Sequence, residues 1–165
     1  EVRGNLWEFP ADVRVITTNG TVKKNGECVM GRGCAAEAKA KWPPMALALG
    51  RMIQQNGNIP HLLVKAKRED GGWVMSFPVK HNWYEKADLG LIADSATRLA
   101  ARVDRTFPND KGHVIVLPRP GCGNGHLKWE DVKPILEPIL DDRFHVITFD
   151  NQAMNGPYVE TGKVW

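Results

Sequence analysis

No apolar stretch in this chain approaches the roughly 20 residues that a membrane-spanning helix requires, and the sequence does not open on a basic segment followed by an apolar run. Both absences lead us to expect a soluble, cytoplasmic protein that works away from membranes. Cysteine is scarce: Cys28, Cys34 and Cys122 are an odd number without Cys-x-x-Cys spacing, which argues against a disulfide framework or a zinc knuckle. Neither sign of charge dominates. The 22 Lys and Arg residues stand against 19 Asp and Glu, a formal net charge of +3, and the basic groups at 23–24 and 65–68 are short. A concentrated basic face with interleaved aromatics, as a nucleic-acid polymer asks for, is not visible, so the slight positive balance favours a small phosphorylated ligand. No internal repeat or low-complexity tract interrupts the chain. Its 165 residues, 42% of them hydrophobic, predict one domain with a sizeable core and a turn-rich tail from about residue 150.

Glycine-rich loops are what the sequence does have. Residues 19–36 contain Gly20, Gly26, Gly31 and Gly33, and they link a β-branched run at 13–18 to an Ala, Glu and Lys segment at 34–42 that reads as a helix. Glycines at a helix start let the backbone approach a ligand, and the first helical N–H groups point outward without intrahelical partners. That is the geometry of an anion site. A second loop, residues 118–126, carries Gly121, Gly123 and Gly125 between a strand at 113–117 and a helix at 129–140.

The remaining elements alternate. An opening strand and turn lies at 2–9, a helix at 45–55 after Pro43 and Pro44, and a hairpin pairs 61–67 with 73–79 around Gly71 and Gly72. A helix at 87–103 and a last strand at 144–149 complete the order. The runs at 13–18, 113–117 and 144–149 are continuously apolar, as in strands covered on both faces. The expected architecture is a three-layer α/β/α sandwich with a mixed central sheet, its antiparallel part supplied by the hairpin. In such folds ligands bind at the carboxyl ends of the strands, where both glycine loops emerge.

Side chains and amides in these loops have definite chemical uses. Gly31, Arg32, Gly33, Gly121, Cys122, Gly123 and Asn124 can offer backbone N–H groups to a diphosphate. Asn19 carries the paired donor and acceptor a ribose requires, or it caps its own turn before Gly20. Phe149 either stacks on a base or belongs to the core, and Arg119 either reaches phosphate or pairs with a carboxylate of the following helix. Cys122 reads as a small loop residue rather than a nucleophile.

Gly4-Asn5-Leu6, Thr18-Asn19-Gly20, Val29-Met30-Gly31-Arg32-Gly33-Cys34-Ala35 and Pro118-Arg119-Pro120-Gly121-Cys122-Gly123 with Leu127-Lys128-Trp129-Glu130 together resemble the macrodomain family. The resemblance runs through nearly the whole chain, and it is strongest to the branch of ADP-ribosyl glycohydrolases that act on protein and on DNA. It implies an ADP-ribose cleft, with Asn5 where many macrodomains carry an adenine-binding Asp. It implies Lys80 as the lysine that attacks the anomeric carbon of the distal ribose, and it places Gly125 where those hydrolases carry an aspartate, leaving His126, and secondarily His81, to supply acid/base chemistry. The expectation is an ADP-ribosyl hydrolase, acting on a protein, nucleic-acid or small-molecule conjugate such as ADP-ribose 1″-phosphate. It should need no cofactor or metal and work as a monomer. The alternative is a reader that binds ADP-ribose without turnover.

Overall fold

The computed structural model describes residues 1–108 and 112–148. Phe149 and the turn-rich tail from about residue 150 lie outside the described residues.

Six strands form one sheet in the order β1-β6-β5-β2-β4-β3. They are β1 (Val2–Arg3), β2 (Val13–Asn19), β3 (Leu62–Val64), β4 (Trp73–Lys80), β5 (Ile115–Pro118) and β6 (Phe144–Thr148). All neighbours are parallel except β3 and β4, so the hairpin does supply the antiparallel edge. The first arm of that hairpin stops at Val64, short of the expected residue 67, and a 3-10 turn, Arg68–Asp70, follows before β4.

Helices α1 (Gly33–Lys41) and α2 (Met45–Asn56) cover one face; α3 (Leu89–Thr106) and α4 (Trp129–Leu136) cover the other. Ile16, Val74 and Val116 pack with Ala38, Ala46 and Leu49 on the first side, while Val15, Phe77 and Leu117 pack with Ile92, Leu99 and Val132 on the second. Two buried layers on one sheet are what the uninterrupted apolar strands require. Asp88 caps α3, its side chain accepting from the Leu91 amide at 3.1 Å. The last helix is shorter than its apolar period suggests, ending at Leu136 instead of residue 140. Pro134 and Pro138, one helical turn apart, both lack the N–H that would continue the ladder. Among the described residues no helix is long and apolar enough to cross a membrane.

Two buried features fix the loops to this body. Arg14 lies within the apolar strand β2, only 7% exposed, and its guanidinium donates to the main-chain carbonyls of Leu6, Phe9 and Gly71. It thereby holds the segment after β1, which carries Asn5 and Trp7. Gly50 of α2 lies directly against the β2–α1 loop: a Cβ there would stand 1.9 Å from the Gly26 carbonyl oxygen. The neighbouring Cys28 amide donates to the Ala46 carbonyl at 2.9 Å, so the loop is bonded to the helix as well as packed on it.

In an open helix interior Gly→Ala stabilises by roughly 0.5–1 kcal/mol. For Gly50→Ala the expected sign is reversed, a loss of about 1–3 kcal/mol from overpacking, which thermal unfolding checks directly.

Candidate functional site

Because β1, β6, β5, β2 and β4 are parallel, their carboxyl ends share one edge of the sheet, and a cleft of about 1010 Å³ opens there. The segment after β1, the β2–α1 loop, the β4–α3 loop and the β5–α4 loop line it. The two glycine loops do face each other across it. At their closest, a Cβ on Gly33 would lie 3.3 Å from Asn124 Nδ2.

The first loop is built to hold its shape without ligand. Val22 and Cys28 form an isolated antiparallel bridge, the Val29 amide donates to the Thr21 carbonyl, and the Asn19 side chain ties the loop's two ends together. Asn19 Nδ2 donates to the Val29 carbonyl at 2.9 Å, and Asn19 Oδ1 accepts from the Thr21 amide at 3.0 Å. Asn19 therefore lines the cleft as a loop staple, with one N–H and one lone pair left over. The N-cap of α1, Arg32, provides no side-chain cap, and no acidic residue occupies the first turn. The N–H groups of Gly31, Arg32 and Gly33 make no main-chain hydrogen bond among the described residues. They sit at the positive end of the helix, lining the cleft, as an anion site requires.

The second loop divides differently from the expectation. Gly121, Gly123 and Asn124 line the cleft, and the amides of Gly123 and Asn124 are uncommitted among the described residues. Cys122 corrects the reading of its amide as a phosphate donor: that N–H donates to the Arg119 carbonyl at 3.3 Å, and the side chain packs into the core beneath α3 and α4. Burial pushes its thiol up to about 11, so it is not a thiolate nucleophile near neutral pH. Arg119 lines the cleft, but it does not pair with a carboxylate of the following helix. Its guanidinium lies 3.6 Å from the Glu1 carboxylate and 5.0 Å from the centre of the Trp129 ring, whereas Glu130 of α4 pairs with Lys128.

Gly125 is more than a missing carboxylate. A Cβ there would stand 2.5 Å from the Gly121 carbonyl oxygen and 2.7 Å from Ala87 Cβ, while the Gly125 carbonyl accepts from the Ala87 amide at 3.0 Å. The backbone has closed over the space a side chain would need. His126 follows with φ of 61°, a left-handed conformation costing roughly 1 kcal/mol outside glycine, and its exposed ring lines the cleft. His81 lies off the cleft lining, its Nε2 3.0 Å from Asp88 Oδ2.

Asn5 lines the opposite end. Its Oδ1 already accepts from the Trp7 amide at 2.8 Å, so the expected acceptor is partly used and the free donor is the Nδ2 group. Lys80 ends β4 across from Asn19, where the β2–β4 register slips by one residue. Its Nζ donates to the Trp83 carbonyl at 3.2 Å, and partial burial together with the nearby Arg32 charge lowers its pKa from the usual lysine range. Asn58, read from sequence only as part of a helix stop, donates from Nδ2 to the Lys80 carbonyl at 3.0 Å and also packs under Gly20. Thr21 is a second residue the sequence did not flag: its Oγ1 accepts from the Trp83 amide at 3.0 Å, joining the first loop to the β4–α3 loop. A short polar residue next to a glycine turn is the sole signal either carried. Among the described residues no cluster of three His, Cys, Asp or Glu is arranged to hold a metal.

An open α/β/α cleft with uncommitted amides from two loops at the strand ends has the geometry of an anion site. No protein-family model matches the chain. Among solved structures it is similar to the macrodomain of Thermus aquaticus DarG, with a TM-score of 0.72 and 25% identity over 90% of this chain and 95% of that one. The macrodomain of Mycobacterium tuberculosis DarG gives 0.69 and 24% over 89% and 95%. Thermosipho africanus DarTG, solved in complex with ADP-ribose, gives 0.70 and 17% over 93% of this chain and 43% of that one. A curated relative, the DNA ADP-ribosyl glycohydrolase of Thermus aquaticus, is 28% identical over 143 residues, 85% of this chain but 37% of the relative's length. The chain has the fold of the macrodomains. In sequence and structure it is similar to macrodomains of the DarG type.

Two substitutions separate room from crowding in the second loop. Gly123→Glu, where a Cβ meets nothing within 4 Å, is expected to leave the unfolding temperature of the ligand-free protein unchanged. Gly125→Asp is expected to lower it by at least about 3 °C, from roughly 1–3 kcal/mol of overpacking, and so not to restore chemistry.

Proposed function

We propose that the chain binds ADP-ribose in this cleft and hydrolyses an ADP-ribosyl linkage, the acceptor being a nucleic-acid base as in the glycohydrolase it resembles. The observation that carries the reading is the set of uncommitted amides at Gly31, Arg32, Gly33, Gly123 and Asn124, drawn from two loops that face each other. Five N–H donors beside a helix start suit the two phosphates of a nucleoside diphosphate sugar. Asn5 and Trp7 at one end then suit the adenosine, and Lys80 at the other suits the distal ribose.

Lys80 supplies the nucleophile in this reading. The lone pair of its neutral amine attacks the anomeric carbon, the bond from that carbon to the acceptor breaks, and the acceptor leaves with the electron pair and takes a proton, for which His126 is the imidazole on the cleft lining. Water then cleaves the carbon–Nζ bond, releasing ADP-ribose and regenerating the amine. A lysine is nucleophilic only when neutral, so the downward pull of burial and Arg32 on Lys80 favours the reaction. With no side chain possible at Gly125, the second step is left to His126 and water. Three free thiols suit a reducing cytoplasmic setting, and the chain is taken to act as a monomer.

Calorimetry should give a one-to-one complex with ADP-ribose, and a hundredfold excess over the dissociation constant should add about 2.7 kcal/mol of stability. Gly123→Glu should abolish both by setting a carboxylate in the phosphate space. Lys80→Ala should stop release of ADP-ribose from a modified base while leaving ADP-ribose affinity near wild type, since the loss falls on the transition state. Wild-type binding without turnover on any ADP-ribosylated substrate would identify a reader instead.

The pH dependence follows from the direction of the Lys80 shift. Protonated Lys80 is inactive, so kcat/KM should rise with pH and level off, with a midpoint below the ordinary lysine value. Arg32→Ala removes a like charge and should move that midpoint upward. An unchanged midpoint in Arg32→Ala would count against the electrostatic account of Lys80.

A further inference from the structure

Exposed apolar surface is concentrated in one place. Among the described residues the large hydrophobic side chains most open to solvent are Trp83 at 51%, Tyr84 at 69% and Leu89 at 37%, all in or just after the β4–α3 loop. Trp83 and Tyr84 line the cleft mouth beside Lys80, their rings 5.8 Å apart and at 87° to each other. An aromatic pair left in water at a cleft rim marks a binding surface rather than a folding requirement.

The pair is also held still. The Trp83 amide donates to Thr21 Oγ1, the Trp83 carbonyl accepts from Lys80 Nζ, Asn82 Nδ2 donates to Glu85 Oε1 at 2.8 Å, and the Ala87 amide donates to the Gly125 carbonyl. Such a loop presents its rings at little ordering cost. Lys23 and Lys86 share the cleft lining with it, Lys23 lying 3.9 Å from Glu27 Oε1; the carboxylates on the same lining are Glu37 and Glu85, the latter engaged by Asn82.

Resting on the function proposed above, we infer that this rim seats the acceptor strand: bases next to the ADP-ribosylated nucleotide of a single-stranded DNA stack on Trp83 and Tyr84, with their phosphates against Lys23 and Lys86. The acceptor is attached to the distal ribose, at the end of the cleft that holds Lys80, and Trp83 and Tyr84 line that same end three and four residues beyond Lys80. Flat rings that share a cleft lining with cations match bases joined by phosphates, because every base has a face to stack and every linkage a charge. A modified glutamate in a peptide offers neither. A base inside a duplex would have to leave its stack to reach the cleft, so the strand is single.

The test measures binding without turnover, in the Lys80→Ala background, of two probes: a single-stranded oligonucleotide carrying one ADP-ribosylated base, and the ADP-ribosylated nucleoside alone. The oligonucleotide should bind more tightly, with a stronger salt dependence. Adding Tyr84→Ala should weaken the oligonucleotide by roughly fivefold to a hundredfold, the range for loss of one stacked base, while the nucleoside and free ADP-ribose bind as before. Tyr84→Phe should retain the oligonucleotide affinity, since the stacking face is kept. Equal affinity for both probes, or an oligonucleotide affinity insensitive to Tyr84→Ala, would overturn the rim while leaving ADP-ribose binding intact. An ADP-ribosylated glutamyl peptide losing as much affinity as the oligonucleotide in Tyr84→Ala would overturn the assignment to DNA. Absence of ADP-ribose binding by the wild type would reject the cleft reading itself, and the rim with it.

Discussion

The register of β2 between its two parallel neighbours is the constraint on which the site depends. From Val13 to Thr18 the strand pairs residue for residue with Trp73 to Pro78, and then it slips so that Asn19 faces Lys80. Pro78 lies at the slip and cannot donate to the ladder, which makes it a natural place for the irregularity. Val79 is left over, buried with α3, and Lys80 is delivered opposite the first residue of the glycine loop. One register error there would move Lys80 to the other face of the sheet and remove it from the cleft.

Around that point the molecule prefers main-chain groups to side-chain charges. The anion site is a set of amides at a helix start and a facing turn, organised by Asn19, Thr21 and the close approach of Gly50 to Gly26. Fixed amides need no counter-ion and lose no side-chain entropy on binding, whereas an exposed lysine is hydrated and mobile. The cationic side chains are thereby released for other duties. Arg32 adds to burial in lowering the Lys80 pKa, Arg119 is occupied between Glu1 and Trp129, and Arg14 serves as a buried staple for the Asn5 segment.

Sequence and structure agree where the signal is local or periodic. Apolar runs located the strands, glycines located both loops, and motif resemblance located the class, because each depends on residues adjacent in the chain. Agreement fails where the deciding partner is remote, or where turn geometry rather than residue type decides. Gly125 reads in sequence as a carboxylate removed, yet in space Ala87 and the Gly121 carbonyl fill the position, so no substitution there supplies an acid. The Cys122 amide is bonded within its own turn, a detail that follows from turn geometry rather than from residue type. Arg119 pairs with a residue at the far end of the chain, and Asn58 reaches Lys80 across an intervening hairpin; neither separation leaves a mark in the sequence.

The central claim is that uncommitted backbone amides from two loops cradle a diphosphate, and residue-resolved amide hydrogen exchange tests it most directly. Adding ADP-ribose should slow exchange at Gly31, Arg32, Gly33, Gly123 and Asn124, while Leu127, whose amide already donates to the Gly121 carbonyl, keeps its rate. Unchanged exchange at those five amides in a protein saturated with ADP-ribose would contradict the account.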